Sequence, residues 1–139
     1  MATIITTRPP LNLFEVRRTE VASDWTTLYD VPDYTIPASG PNPQRIVGAA
    51  AIMTGLAVCS LAGDGASVSV RIRNAAGNQD FLLIDGAFAP AGDFLSISLD
   101  RQVLRSGETL QVKCGAGQSA VVHFSFILNQ REEFTEIPA

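Results

Sequence analysis

The sequence contains few of the residues that metal centres and disulfide frameworks require. Its 139 residues include one histidine, His123, and two cysteines, Cys59 and Cys114. Structural zinc sites recruit several His or Cys side chains, and disulfide-stabilised domains carry many cysteines. We therefore expect neither a metal nor another cofactor. Both cysteines lie in apolar, strand-like runs, and we interpret them as free, buried thiols.

Positive charge is also scarce. Ten basic residues stand against fourteen acidic ones, which gives a net charge of −4. A nucleic-acid-binding surface needs clustered positive charge, so we expect no nucleic-acid partner. Nine of the ten basic residues are arginine. Arginine suits planar ion pairs at interfaces, but a GC-rich genome explains the bias equally well.

Long hydrophobic runs are missing too. The best candidate for a membrane span, residues 46–62, falls short of the ~20 residues that a span needs, and Gly, Ala, Ser and Thr dilute it. Residues 1–10 lack the basic start and continuous apolar core of a signal peptide. We expect a soluble protein, made inside the cell, with no membrane partner.

The sequence does contain clear alternation, most regular within residues 52–73. After Gly63-Asp64-Gly65, the apolar residues Val68, Val70 and Ile72 alternate with polar ones. Strict alternation is the signature of a half-buried strand, and glycine tolerates the positive φ of a tight turn. The stretch predicts a β-hairpin whose inner face nucleates the core.

Further strand-like runs, separated by short turns, follow along the chain, and no amphipathic helix is evident. This pattern predicts an all-β protein, a single jelly-roll-like antiparallel β-sandwich over residues 13–128. We expect 13–21 to be an edge strand because of its charges. Within the apolar run 45–61 we predict a strand over 51–61 and a strand or bulge over 45–50, and apolar residues on both sides indicate a central strand with both faces covered. The other predicted strands are 25–31, 66–73, 81–84, 95–99, 110–114 and 122–128.

Three segments are predicted to lie outside the strands. Residues 32–44 hold four prolines and predict a loop, longer than most connections and therefore a candidate interface. Residues 1–12, with Pro9-Pro10, predict an extended N-terminal arm, either disordered or laid against a neighbour. The charged residues 129–139 predict a C-terminal arm that projects from the body.

Candidates for chemistry have simpler structural explanations. His123 could pair with Cys59, but no nucleophile motif such as G-x-S-x-G accompanies it, and we expect no enzymatic activity. Trp25, Tyr29 and Tyr34 could form an aromatic platform for a sugar ring, which makes a carbohydrate-binding module the alternative function. Core packing explains these rings more simply, because aromatic residues dominate sandwich cores.

Five stretches carry a resemblance to a known class of protein. They are, with their sequences, WTTLYDVP (25–32), TGLAVCSLAGDGASVSVRIR (54–73), FAPAGDFLSISL (88–99), VLRSGETLQVKC (103–114) and AVVHFSFIL (120–128). Their order of strand and turn types resembles that of small β-sandwich virion structural proteins of tailed bacteriophages. The long 33–44 loop and the two arms depart from that pattern.

The resemblance implies a non-enzymatic structural protein of a tailed-phage virion. Such proteins act as capsid decoration or cement proteins, or as neck or tail accessories. We expect synthesis in the host cytoplasm, location in the virion, and assembly as a homo-oligomer that also contacts other virion proteins. The arms would add strands to neighbouring subunits. The expected interface residues are Arg8, Pro9, Pro10, Tyr34, Arg131, Glu132, Glu133, Phe134 and Ile137.

Overall fold

The computed structural model describes residues 4–5, 13–99 and 102–135. These residues form strands and connecting turns, with no helix among them, so the predicted all-β class is confirmed. The described strands are β1 (Ile4–Ile5), β2 (Leu13–Val21), β3 (Thr26–Asp30), β4 (Asp33–Ile36), β5 (Arg45–Ser60), β6 (Ala66–Arg73), β7 (Asp80–Ala89), β8 (Phe94–Ile97), β9 (Val103–Arg105), β10 (Thr109–Cys114) and β11 (Ala120–Thr135).

The strands form two sheets that enclose one core. The larger sheet has the order β1-β4-β5-β11-β2, and β8 and β9 also pair with β5. The smaller sheet has the order β3-β10-β6-β7. Pairing is antiparallel except between β1 and β4. The β-sandwich is therefore confirmed, whereas its jelly-roll connectivity and its terminal arms remain predictions.

The core lies between the inner faces of the sheets. Val68, Val70 and Ile72 contribute from the smaller sheet, as their alternation predicts, and Phe124 and Phe126 from the larger. The ring of Phe126 lies 4.2 Å from that of Tyr29, centroid to centroid. Because Tyr29 belongs to the smaller sheet, this aromatic contact joins the two layers.

The predicted hairpin at 52–73 is wrong, although both of its strands exist. β5 belongs to the larger sheet and β6 to the smaller. β11 pairs along the whole length of β5. On the other edge of β5, the strands β4, β9 and β8 pair with successive parts of it. β6 instead pairs with β10 and β7. The turn through Gly65, with φ of 91°, therefore carries the chain from one layer to the other.

Two segments that the sequence places outside the sheets join the larger sheet. Asp33–Ile36, part of the predicted loop, forms β4 and pairs with β1 and β5. The predicted C-terminal arm begins later than residue 129, because β11 continues to Thr135 beside the first residues of β5. Both segments pair with the sixteen-residue β5, and this pairing holds them in the sheet despite the prolines near the first segment and the charges of the second.

Two further predictions concern the edge of the larger sheet and the N-terminal segment. β2 pairs with β11 and ends the strand order of the larger sheet, so the predicted edge strand is confirmed. Within the predicted arm 1–12, Ile4–Ile5 pairs in parallel with β4. The remaining residues of that arm, and 136–139, lie outside the described residues.

Candidate functional site

The two sheets present chemically different faces to the outside. On β6 and β10, the central strands of the smaller sheet, the outward positions are polar or charged: Ser67, Ser69, Arg71, Arg73, Thr109, Gln111 and Lys113. On β5 and β11, the central strands of the larger sheet, most outward positions are apolar or small: Ile46, Gly48, Ala50, Ile52, Gly55, Ala57, Cys59, Val121 and Ile127. The outward positions of the central strands therefore differ in polarity, and we call the outward side of the smaller sheet the polar side, although its edge strand β7 also carries exposed Leu82 and Phe88.

A network of hydrogen bonds and ion pairs connects several side chains of the polar side. Arg71 donates from Nε to Gln111 Oε1 at 2.8 Å, and Gln111 donates from Nε2 to Thr27 Oγ1 at 3.1 Å. Asp80 accepts from both Arg71, at 3.2 Å, and Arg73, at 3.0 Å. Such a connected, half-exposed network is compatible with water on this side.

We define the outer face as the outward side chains of β2, β11, β5, β8 and β9 on the larger sheet. Four large apolar residues protrude from it. Phe14 is 58% exposed, Val16 49%, Phe94 60% and Val103 46%. Single exposed apolar residues are ordinary, but a contiguous group on one sheet face marks a binding surface.

The apolar residues of the outer face form a straight row across four strands. Phe14 on β2 lies opposite Ile127 on β11. Ile127 lies opposite Ile52 on β5, and Ile52 lies opposite Val103 on β9. Directly opposed residues of neighbouring strands have Cβ atoms ~5 Å apart. The four side chains therefore make one continuous apolar strip, which we call the apolar row.

A shallow groove of about 260 Å³ adjoins the apolar row, lined by Gly55, Leu56, Ala57, Ser96, His123 and Ser125. At one side Thr54 and Ser125 share a hydrogen bond of 2.7 Å between their hydroxyl oxygens. A bulge between Ser125 and Phe126 leaves Thr54 as the extra residue of β5, so Thr54 and Gly55 both face outward. The groove thus combines small side chains with hydroxyl groups and an imidazole.

His123 and Cys59 both lie on the outer face, but at offset positions. His123 pairs with Ala57 and Cys59 with Val121, so the two residues are diagonal neighbours. Diagonal neighbours are ~7–8 Å apart between Cα atoms. Arg18 on β2 lies directly opposite His123, and Glu20 lies two residues further along. The arrangement places a cation beside the imidazole rather than the thiol partner that the sequence left open.

The two cysteines have opposite environments. Cys114 is buried, as predicted, and burial raises the pKa of its thiol. Cys59 is exposed, so the prediction that it is buried is wrong. β5 alternates at this point, with Val58 in the core and Cys59 on the outer face. The apolar run had suggested that both sides of the strand are covered, whereas one side is open.

The sugar platform expected from aromatic residues does not form. Tyr29 and Tyr34 are core residues, 6% and 4% exposed, and burial raises the pKa of both phenols. Trp25 is half-buried on the polar side, with the guanidinium of Arg71 4.1 Å and the ammonium of Lys113 5.0 Å from its ring centroid. Tyr34 therefore presents no ring to a partner, because β4 turns it inward.

The remaining expected interface residues are spread over two regions. Arg8, Pro9, Pro10 and Ile137 lie outside the described residues. Glu132, Glu133 and Phe134 are part of β11, where their backbone pairs with residues 46–48, and Arg131 lies at a bulge before them. The structure thus places 131–134 inside the larger sheet rather than on a projecting arm.

Sequence reasoning missed the outer face, although two signals point to it. The β5 run is apolar at outward as well as inward positions, and β2 carries Phe14 and Val16 on the side opposite its core residue Val21. Reading the first signal as a strand covered on both sides concealed the open face.

In the described part of the chain there is no group of three or more His, Cys, Asp or Glu side chains that could hold a metal ion. Nor do the described residues include a helix with the length and apolarity to span a membrane.

Comparison with known proteins adds no relative: no family model, no curated protein and no solved structure matches the chain.

Proposed function

We propose that this protein is a non-enzymatic structural protein of a tailed-phage virion, which assembles as a homo-oligomer on the particle. The observation that carries the proposal is the contrast between the two sides of the sandwich. The central strands of the smaller sheet present polar side chains that bond to one another, whereas the outer face leaves a continuous apolar row open. A protein with this division of surfaces is suited to bind other proteins on one side and water on the other.

The position of the apolar residues supports an assembly role over a catalytic one. The middle of the apolar row, Ile127 and Ile52, lies on the central strands β11 and β5, where the backbone is fixed by pairing on both sides. A rigid, flat surface suits the burial of one protein against another, because little conformational entropy is lost on docking. The groove on the outer face itself is shallow, whereas enzyme sites are usually concave pockets with convergent polar groups.

The segments that resemble virion proteins form strands of the scaffold, which supports this proposal. WTTLYDVP supplies β3 and its exit, VLRSGETLQVKC supplies β9 and β10, and AVVHFSFIL supplies the part of β11 that carries Phe124 and Phe126. These segments include much of the scaffold that positions the outer face. Strand addition by the terminal segments 1–12 and 129–139 stays a prediction, although residues 4–5 and 129–135 already belong to strands paired within this chain.

Sugar binding receives less support than assembly. Two of the three rings that motivated it, Tyr29 and Tyr34, are in the core. The third ring, Trp25, already lies under the cations of Arg71 and Lys113. We therefore retain a single proposed function.

The test is quantitative mass spectrometry of density-gradient-purified particles of the phage whose genome encodes this chain. We expect the protein at a fixed, many-copy ratio to the major shell protein, retained through repeated purification. A control protein of the infected cell should fall below detection. Absence of the chain from purified particles would refute the proposed function.

A further inference from the structure

We infer that the outer face binds a second copy of this chain face to face, about a two-fold axis that runs along the seam between β5 and β11. The inference deepens the proposed function and rests on its statement that the protein self-associates. It names the surface, the partner and the symmetry.

The apolar row has two residues on each side of the seam between β5 and β11. A two-fold axis parallel to the strands and between β5 and β11 places each row over the same row of the partner in reverse order. Phe14 then lies opposite Val103 of the partner subunit, and Ile127 opposite Ile52 of the partner subunit. Each apolar residue of the row meets an apolar residue, so the row is its own complement.

The geometry of the sheet permits two outer faces to pack together. In this arrangement the strands of the two copies run roughly side by side, and the natural twist of each sheet sets the crossing angle near −30°, as in aligned sheet-on-sheet packing. The central strand β5 carries small outward residues, Gly48, Ala50, Gly55 and Ala57. Small central residues permit two sheets to approach to the usual ~10 Å.

The outer face has the area that a specific dimer needs. Nine residue pairs join β2 and β11, which at ~3.3 Å per residue is a length of about 30 Å. Four strands at a spacing of ~4.8 Å give a width of about 19 Å. The face therefore offers roughly 600 Å² per copy, or about 1,200 Å² for two, the lower end of the range for specific interfaces.

The charged groups of the outer face lie where a partner leaves them in water. Arg18 and Glu20 are exposed on β2, the last strand of the sheet order, and Arg105 is exposed on β9 at the opposite side of the face, so all three fall at the rim. A polar rim around an apolar centre is the usual arrangement of specific interfaces.

The experiment is sedimentation equilibrium of the full chain from micromolar to sub-millimolar concentration, with two outer-face variants and a matched control. Phe14→Asp and Val103→Asp each place a charge in the apolar row at an exposed position, and either serves if the other fails to fold. Phe88→Asp is the control, since Phe88 is 57% exposed but lies on the outward side of the smaller sheet, paired with Ser67. Circular dichroism checks the folding of all three.

We expect the wild-type chain to dimerise. The outer-face variants should raise the dissociation constant at least about tenfold, because each places a charge against an apolar residue of the partner subunit, and Phe88→Asp should change it less than about twofold. Dimerisation that is unaffected by both outer-face variants would overturn the inferred surface and leave the proposed function intact. A wild-type chain that stays monomeric throughout would overturn the second copy as the partner. The presence or absence of this protein in purified particles tests the proposed function independently of that result.

Discussion

Replacement of Gly65 by alanine should destabilise the fold strongly, because this glycine makes the turn between the two sheets possible. Its φ is +91°, and a Cβ built on it would lie 2.5 Å from Phe88 Cζ and 2.7 Å from the backbone oxygen of Ala89. Positive φ costs a residue with a Cβ ~1–2 kcal/mol, and overpacking adds ~1–3 kcal/mol. We expect a total loss of about 3 kcal/mol, since the phenyl ring can yield but the carbonyl of a paired strand cannot.

The same turn supplies a matched control. Gly63 lies outside the positive-φ region, and a Cβ there meets nothing within 4 Å. Gly63→Ala should therefore leave the free energy of unfolding within ~0.5 kcal/mol of wild type, with a small gain from the stiffer unfolded chain. For 139 residues, a loss of ~3 kcal/mol corresponds to a fall in Tm of about 10 °C.

Urea unfolding monitored by circular dichroism measures both variants, and calorimetry checks the Tm. Equal stability of Gly65→Ala and Gly63→Ala would refute the reasoning, because it would mean that neither the backbone conformation nor the Ala89 carbonyl constrains this turn. If the loss of stability arose only from contact with the Phe88 ring, the double variant Gly65→Ala/Phe88→Ala would restore it. We expect most of the loss to persist in that double variant.

Three further predictions concern the core and the thiols. Ser106→Ala should cost ~1–3 kcal/mol in urea unfolding, because the buried amide of Ala49 donates to Ser106 Oγ at 2.8 Å and would lose its acceptor; a cost below ~0.5 kcal/mol would contradict this. Burial raises the pKa of Tyr29, so the folded state keeps a proton that the unfolded state releases near pH 10. The contribution of Tyr29 to the free energy of unfolding should therefore be fully present below pH ~10 and decrease above it. The free energy of unfolding should decrease less steeply with pH in Tyr29→Phe than in wild type. Equal slopes for the two proteins between pH 8 and 11 would contradict this. In dilute native protein a maleimide should label exposed Cys59 rapidly and buried Cys114 slowly, so that Cys59→Ser loses the fast phase and Cys114→Ser retains it. A fast phase that survives in Cys59→Ser would show that the assigned environments are wrong.

Much of the fold follows from local pattern, because alternation reports burial directly. Val68, Val70 and Ile72 occupy the core as their spacing predicts, and the charges of 13–21 mark an edge strand. Local pattern does not report which strand pairs with which. The turn around Gly63–Gly65 is compatible both with a hairpin and with a crossover between layers. The choice depends on β11, some sixty residues away, which occupies an edge of β5.

The outer face is harder to predict for a related reason. An apolar residue at an outward position looks the same whether another part of the chain or another protein covers it. Ile52 and Cys59 could have been buried under a further layer of the same chain. Register resolves this point, since it aligns Phe14, Ile127, Ile52 and Val103 in one row. The same register turns Tyr34 inward from a segment whose prolines had predicted a loop.

The most direct test of the account is the reactivity of Cys59 in intact purified particles compared with the dilute, isolated protein. Cys59 lies on the outer face, paired with Val121 and Phe94. If the outer face is the assembly surface, maleimide labelling of Cys59 should be at least about tenfold slower in particles, and mild disruption of the particles should restore the fast rate. Equal labelling rates in particles and in isolated protein would contradict the central claim that this face is buried on assembly.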